Sequence, residues 1–181
     1  MATSADKTQP NVPYEICIMR HGIAVRRGTD GSLDDSKRKL TPEGREKMEK
    51  IARGLQRLNL DLDWIVTSPL VRAVETAQII SDSFGSKVPL DHCDALCPGE
   101  PAEKVLQFLA KQPDRRRILL VGHEPDLSML AAQLMGAGRK TNLVLKKGGC
   151  CLITSDQLPL KSHSPGQLLW WLTPRLLRAM E

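Results

Sequence analysis

Arg20 and His21 stand side by side directly behind the apolar run Ile16-Cys17-Ile18-Met19. Arg72 follows Ser68-Pro69-Leu70-Val71 behind a second apolar run, and His123 follows Val121-Gly122 behind a third. A guanidinium offers planar paired donors that match the oxygens of a tetrahedral anion, and two of them on one anion neutralise its charge and fix its orientation. A neutral imidazole can attack phosphorus and form a phosphohistidine, which divides one hard hydrolysis into two easier steps, the second being attack by water. Adjacent arginines help keep that imidazole neutral, because a like charge disfavours its protonated form. A second imidazole, if protonated, would hold an equatorial oxygen as charge builds in the transition state. Either histidine alone reads as an ordinary surface or hydrogen-bonded residue, and only joint placement with the two arginines gives the catalytic reading.

That placement depends on the elements around it. Ile16 to Met19 reads as a buried strand that stops at Arg20-His21-Gly22. Thr41-Pro42-Glu43 supplies an N-cap, an N1 proline and a first-turn acid for a helix with Met48, Ile51, Ala52, Leu55 and Leu58 on one face. Trp64 to Thr67 is the second strand. The helix behind it carries Val71, Ala73, Val74, Ala77 and Ile80 on one stripe and ends near Gly85. A helix over Glu103 to Lys111, a strand over Ile118 to Val121 and a helix capped by Asp126 and running through Met135 follow. Cys150 to Thr154 and Leu168 to Leu172 then read as two late strands, with Trp170 and Trp171 pointing one inward and one outward. Alternating strands and helices imply right-handed crossovers and a mostly parallel sheet covered on both faces, with the final pair adding antiparallel edge strands. The expected fold is a three-layer α/β/α sandwich. In such sheets ligands bind beyond the carboxyl ends of the strands, where Arg20-His21, Ser68 to Arg72 and Gly122-His123-Glu124 all emerge.

The length of 181 residues fits one domain, expected over 14–181 behind a loose polar tail at 1–13. Hydrophobic residues at 41% and charged residues at 26% exclude collagen-like and wholly disordered readings. The net charge of +5 favours anionic ligands without identifying one. Aromatics are only 3% and do not interleave with the basic clusters, so nucleic acid is not an expected partner. No apolar run approaches the roughly 20 residues of a membrane span, and the N-terminus lacks a secretory signal pattern. The cysteines (Cys17, Cys93, Cys97, Cys150, Cys151) form no C-x-x-C pair and read as buried reduced thiols of a cytoplasmic protein. His92 with Cys93 and Cys97 fits no usual zinc spacing, and His163 has no such company. Gly136 to Thr141 reads as a helix end and turn, since its glycine spacing is wrong for a nucleotide loop. Arg26-Arg27 and Lys37-Arg38-Lys39 are candidates to flank the pocket and steer an anion, while Arg115-Arg116-Arg117 reads as solvated charge.

Three ordered strings, Ile18-Met19-Arg20-His21-Gly22, Thr67-Ser68-Pro69-Leu70-x-Arg72-Ala73-x-x-Thr76-Ala77 and Val121-Gly122-His123, resemble the histidine phosphatase superfamily with its phosphoglycerate mutase-like fold. The likeness is strongest to the small phosphohistidine phosphatases of the SixA type, and Leu40-Thr41-Pro42-Glu43-Gly44 is similar to their helix-opening segment. The resemblance runs from about Glu15 to Leu134 and more weakly to the end. It implies His21 as the phosphate-accepting nucleophile, Arg20, Arg72 and His123 as the rest of the phosphate pocket, and no metal or other cofactor. Mutases of the superfamily usually continue Arg-His-Gly with Glu-Ser and, a few residues later, Asn. Here Gly22 is followed by Ile23-Ala24-Val25-Arg26-Arg27, which counts against a mutase.

For the proton donor the resemblance ranks Glu124 ahead of Glu100. Small SixA-type enzymes often lack an obvious acid, which suits a phosphoramidate substrate whose P–N bond breaks with less leaving-group protonation than an alkyl ester. The leading expectation is a metal-independent phosphatase of phosphohistidine in a protein such as a histidine-phosphotransfer domain. The insert between His21 and Thr41 is short and shows no helical cap, which leaves an open mouth that a protein surface could approach. Alternatives are a phosphatase of small sugar or nucleotide-derived esters, and a phosphate- or phosphoprotein-binding module without turnover. A monomer is expected.

Overall fold

The computed structural model describes residues 12–28, 34–137, 141–158 and 165–181. The strands are β1 (Tyr14–Arg20), β2 (Trp64–Thr67), β3 (Leu90–His92), β4 (Arg117–Gly122), β5 (Cys150–Ser155) and β6 (Gln167–Leu172). The helices are α1 (Pro42–Arg57), α2 (Val71–Ser83), α3 (Ala102–Leu109), α4 (Asp126–Leu134) and α5 (Pro174–Ala179). All six strands form one sheet in the order β3-β2-β4-β1-β5-β6. β3, β2, β4 and β1 run parallel, whereas β5 is antiparallel to β1 and β6 antiparallel to β5. Alternate residues of the central strands feed two separate cores. Cys17, Met19, Ile65, Leu119 and Val121 pack against Met48, Ile51 and Leu55 of α1, Ala73, Ala77 and Ile80 of α2, and Leu177 of α5. Ile16, Ile18, Val66, Ile118 and Leu120 pack against Val105, Leu106 and Leu109 of α3 and Leu127, Leu130, Ala131 and Leu134 of α4. This is the expected α/β/α sandwich. Near-continuous apolar runs are what a strand needs when both of its faces are covered.

α1 begins as its sequence dictates. Thr41 is the N-cap, its Oγ1 accepting from Gly44 N at 2.9 Å, and Pro42 supplies the first turn. A Cβ on Gly44 would sit 2.1 Å from the Ile23 carbonyl oxygen, so glycine allows α1 to lie directly against the chain leaving β1. α4 departs from expectation. Pro125 holds its N-cap position without a side-chain cap, and Asp126 accepts from Gly99 N at 2.9 Å, fastening a neighbouring loop instead. Pro101 likewise starts α3 one residue early, at Ala102.

β3 and α5 were not expected. β3 is three residues long at the sheet edge, with Asp91 and His92 exposed, so it carries no apolar period. α5 is capped by Thr173 in front of Pro174. Trp170 and Trp171 are each partly buried, one against each core on opposite sides of the sheet, so neither simply faces outward, although β6 has no fully buried residue. Of the expected tail, 1–11 lies outside the described residues, as do His163 and 138–140 of the turn after α4. Gly136 ends α4 at φ +67°, in the left-handed region. Among the described residues no helix is long and apolar enough to cross a membrane.

Candidate active site

The carboxyl ends of β1, β4 and β2 lie side by side. His21 N donates to Gly122 O at 3.1 Å and Ser68 N to Val121 O at 2.9 Å, so backbone bonds gather the chain leaving these strands at one place. A turn at Lys147-Gly148-Gly149 locks the same point from the other side. Gly148 N donates to Arg20 O at 3.0 Å, and Arg20 N donates to Gly149 O at 3.1 Å. Gly148 adopts φ +76°, a conformation that glycine takes without strain.

His21 is 5% exposed. Its Nδ1 lies 2.7 Å from Gly22 O, and a carbonyl only accepts, so Nδ1 carries the proton and Nε2 keeps its lone pair. Arg72 Nε donates to that Nε2 at 3.2 Å, the bond the same tautomer requires. Burial chiefly lowers the His21 pKa from 6.5 to about 3; the Gly22 bond opposes this, while His123, Arg72 and Arg20 reinforce it. The imidazole is therefore a neutral nucleophile with a defined attacking atom.

His123 is 3% exposed, and its ring centroid lies 5.1 Å from that of His21. Its Nε2 is 2.9 Å from Ser68 Oγ. Burial first, then Arg72, with Asp35 opposing, lowers its pKa to about 4. A phosphoryl dianion would reverse part of that shift and favour the proton. Arg20 donates from Nη1 to Leu145 O at 2.9 Å. Arg20 Nε and His123 Nδ1 are buried with no protein partner among the described residues, and both suit an incoming oxyanion. Arg72 is buried at the start of α2, where unpaired helical amides also favour negative charge.

The family model described as histidine phosphatase superfamily (branch 1) matches residues 16–97. An uncharacterised protein of Picosynechococcus sp. is 31% identical over 166 residues, spanning 90% of this chain and 98% of that protein. The chain belongs to the histidine phosphatase superfamily. Membership supports a phosphatase. Human mitochondrial serine/threonine-protein phosphatase PGAM5 is 37% identical over 103 residues, which cover 57% of this chain and only 34% of that protein. Among solved structures, the protein histidine phosphatase SixA complexed with tungstate superposes with a TM-score of 0.75 at 22% identity, over 90% of this chain and 99% of that one. A mycobacterial glucosyl-3-phosphoglycerate phosphatase superposes at 0.66 with 17% identity, over 88% and 99%. At these identities the structural likeness establishes the fold.

In this histidine phosphatase Arg20, His21, Arg72 and His123 meet as expected, whereas the expected proton donors are engaged elsewhere. Glu124 Oε1 accepts from Leu145 N at 3.0 Å, and its Oε2 accepts from Ser128 Oγ. Since Leu145 O holds Arg20, Glu124 braces the peptide that orients a pocket arginine. Glu100 pairs with Lys104 at 2.7 Å and lines a separate cavity of about 600 Å³ with Pro101, Asp126 and Met129. Neither carboxylate is bonded to the four pocket side chains.

Several functional residues went unread in the sequence. Asp35 lies in a short 3-10 turn (Asp35–Lys37) and accepts from Arg72 through both its backbone O, at 2.8 Å, and Oδ2, at 3.0 Å. Its Oδ1 accepts from Arg38 at 2.8 Å and Arg27 at 3.3 Å, so these basic residues do flank the pocket. Thr76 Oγ1 accepts from Gly22 N at 3.0 Å and donates to Arg72 O at 2.7 Å. Exposed Lys147 belongs to the same field: burial, then Arg20, Arg38 and Arg72, lowers its proton affinity. The clue to Ser68 and Thr76 was their place in the Thr67 to Ala77 string, Thr76 one helical turn after Arg72. Asp35 sat in an aperiodic charged stretch that offered none. Arg115 to Arg117 lie at the other end of the sheet, Arg116 stacking over Tyr14 at 4.2 Å and Arg117 pairing with Asp61 and Asp63.

Proposed function

We propose that this protein is a metal-independent phosphohydrolase that works through phospho-His21, with phosphohistidine of a protein as its substrate. The observation that carries the phosphotransfer reading is the fixed His21 tautomer, Nδ1 bound to Gly22 O and Nε2 facing Arg72. Arg20, Arg72 and His123 hold the phosphoryl oxygens while Nε2 attacks phosphorus and the leaving nitrogen departs. Water then attacks phospho-His21, the P–N bond breaks and phosphate leaves. Burial keeps His21 unprotonated, so the lone pair is available before substrate arrives.

Support for a protein substrate comes from the segment between β1 and α1, where the described residues hold one 3-10 turn and no helical cap. A full-length match to a protein histidine phosphatase in chain size and fold is consistent with it. The similar coverage of a sugar-phosphate phosphatase favours, as second reading, a small phosphate ester on the same chemistry.

Rapid acid-free quenching during turnover should trap an acid-labile, alkali-stable phosphoryl group, absent in His21→Ala, whose turnover should fall by at least about 10³-fold. Full activity of His21→Ala would overturn the mechanism. Competitive kcat/KM measurements on a phosphohistidine-phosphotransfer domain and a panel of small esters decide the substrate, and a large preference for the esters rejects the protein reading. Tight phosphohistidine binding without phosphate release would identify a binding module instead.

A further inference from the structure

With Glu124 committed to Leu145 and Ser128, and Glu100 to Lys104, the proton needed by the departing group has no source in the residues the sequence pointed to. Among the described residues, the carboxylate hydrogen-bonded to a pocket side chain is that of Asp35. Arg72 connects it to the nucleophile. Nε of the guanidinium faces His21 Nε2 at 3.2 Å, while Nη1 and Nη2 face Asp35 O and Oδ2 at 2.8 and 3.0 Å. One rigid planar group thus has the attacking nitrogen at one edge and Asp35 at the other. In-line displacement puts the departing atom on the side of phosphorus remote from the nucleophile. A phosphoryl group resting along Arg72, with phosphorus next to His21 Nε2, directs that atom towards Asp35.

We propose that Asp35 is the acid–base residue of this site, giving a proton to the leaving group as phospho-His21 forms and taking one from water as it breaks down. The assignment rests on the phosphotransfer reading above. In the first step His21 Nε2 bonds to phosphorus, the bond from phosphorus to the leaving oxygen or nitrogen breaks with its electron pair, and the Asp35 proton passes to that atom. In the second, the water oxygen bonds to phosphorus, its proton passes to Asp35, and the P–N bond breaks with its pair returning to His21. Atoms and charge balance, and Asp35 ends as it began.

Proton uptake is coupled to binding. In the resting pocket Asp35 faces Arg27, Arg38 and Arg72, with His123 nearby. Burial alone would raise its pKa, but Arg38, Arg72 and Arg27 together outweigh that and hold it lowered, so it rests ionised. A phosphoryl dianion adds negative charge beside it and competes for the Arg72 donors, and both effects raise its affinity for a proton. The resting carboxylate is in effect the anion that substrate displaces from Arg72.

Asp35→Asn keeps the shape and an acceptor for Arg72 but carries no transferable proton. The test compares kcat/KM, which reports steps up to leaving-group departure, for p-nitrophenyl phosphate and phenyl phosphate. Nitrophenolate leaves unaided; phenolate, far more basic, needs the proton. Whatever Asp35→Asn costs on p-nitrophenyl phosphate, it should lose at least about 30-fold more on phenyl phosphate. Vanadate inhibition should persist, showing an intact pocket. Equal losses on both substrates, no loss on either, or loss of vanadate binding would make Asp35 a prop for Arg72 and overturn the proposal. Failure of the wild-type protein to form phospho-His21 from a phosphohistidine-phosphotransfer domain as well as from either ester would instead sink the underlying phosphotransfer reading.

Discussion

Replacing Thr76 by valine tests whether one hydroxyl ties the nucleophile loop to the arginine helix. Thr76 is fully buried in α2; its Oγ1 accepts from Gly22 N at 3.0 Å and donates to Arg72 O at 2.7 Å. Valine preserves the branched shape and removes both bonds. The Arg72 carbonyl keeps its place in the helical ladder, but the buried Gly22 N–H loses its partner, at a cost of about 1–3 kcal/mol. In a chain of this size that corresponds to a fall in Tm of about 2–12 °C. Gly22 also supplies the carbonyl that sets the His21 tautomer, so displacement of its peptide should reduce kcat/KM by about 10- to 100-fold. Thermal and urea denaturation measure the first effect and hydrolysis of p-nitrophenyl phosphate the second. Thr76→Ser, which keeps the hydroxyl, should retain activity even where loss of the methyl lowers stability. If Thr76→Val matched wild type within about 0.5 kcal/mol, or Thr76→Ser were as impaired in turnover as Thr76→Val, the tie would not matter.

The lowered pKa values of His21 and His123 make stability depend on pH, because the unfolded chain takes up these protons first. Their contribution is fully present above the ordinary value of 6.5 and is lost as pH falls through the window towards about 3 for His21 and about 4 for His123. The urea midpoint should decline on acidification through that range, less so in His21→Gln, and an imidazole NMR titration of His21 near 6.5 would contradict the burial argument. Glu124→Gln keeps a carbonyl for Leu145 N and should stay within about threefold of wild type on phenyl phosphate, whereas Glu124→Ala should lose about tenfold or more by releasing the peptide that holds Arg20. A loss of 100-fold or so in the Gln variant would restore Glu124 as the proton donor.

The interior strands were legible because β1, β2 and β4 are covered on both faces and must be apolar throughout, and α1 because Thr41-Pro42-Glu43 announces its start. β3 was not legible, since an exposed three-residue edge strand is held by pairing with β2 rather than by its own pattern. Asp126 shows the limit of local rules: its chemistry suits a cap, yet a distant loop amide claimed its carboxylate.

Arg20, His21, Arg72 and His123 could be named from the chain alone because each ends or directly follows a strand, or opens the helix after one, and a parallel sheet sends all such ends to one edge. Which carboxylate attends them was decided by tertiary structure. Glu124 adjoins His123 in sequence but faces Leu145 and Ser128, while Asp35 is remote in sequence from Arg72 yet bonded to it twice. Strand direction follows from the alternation of apolar strands with amphipathic helices, which the chain displays; the aim of a side chain from an aperiodic charged segment follows from the nearest partner in space, which it does not.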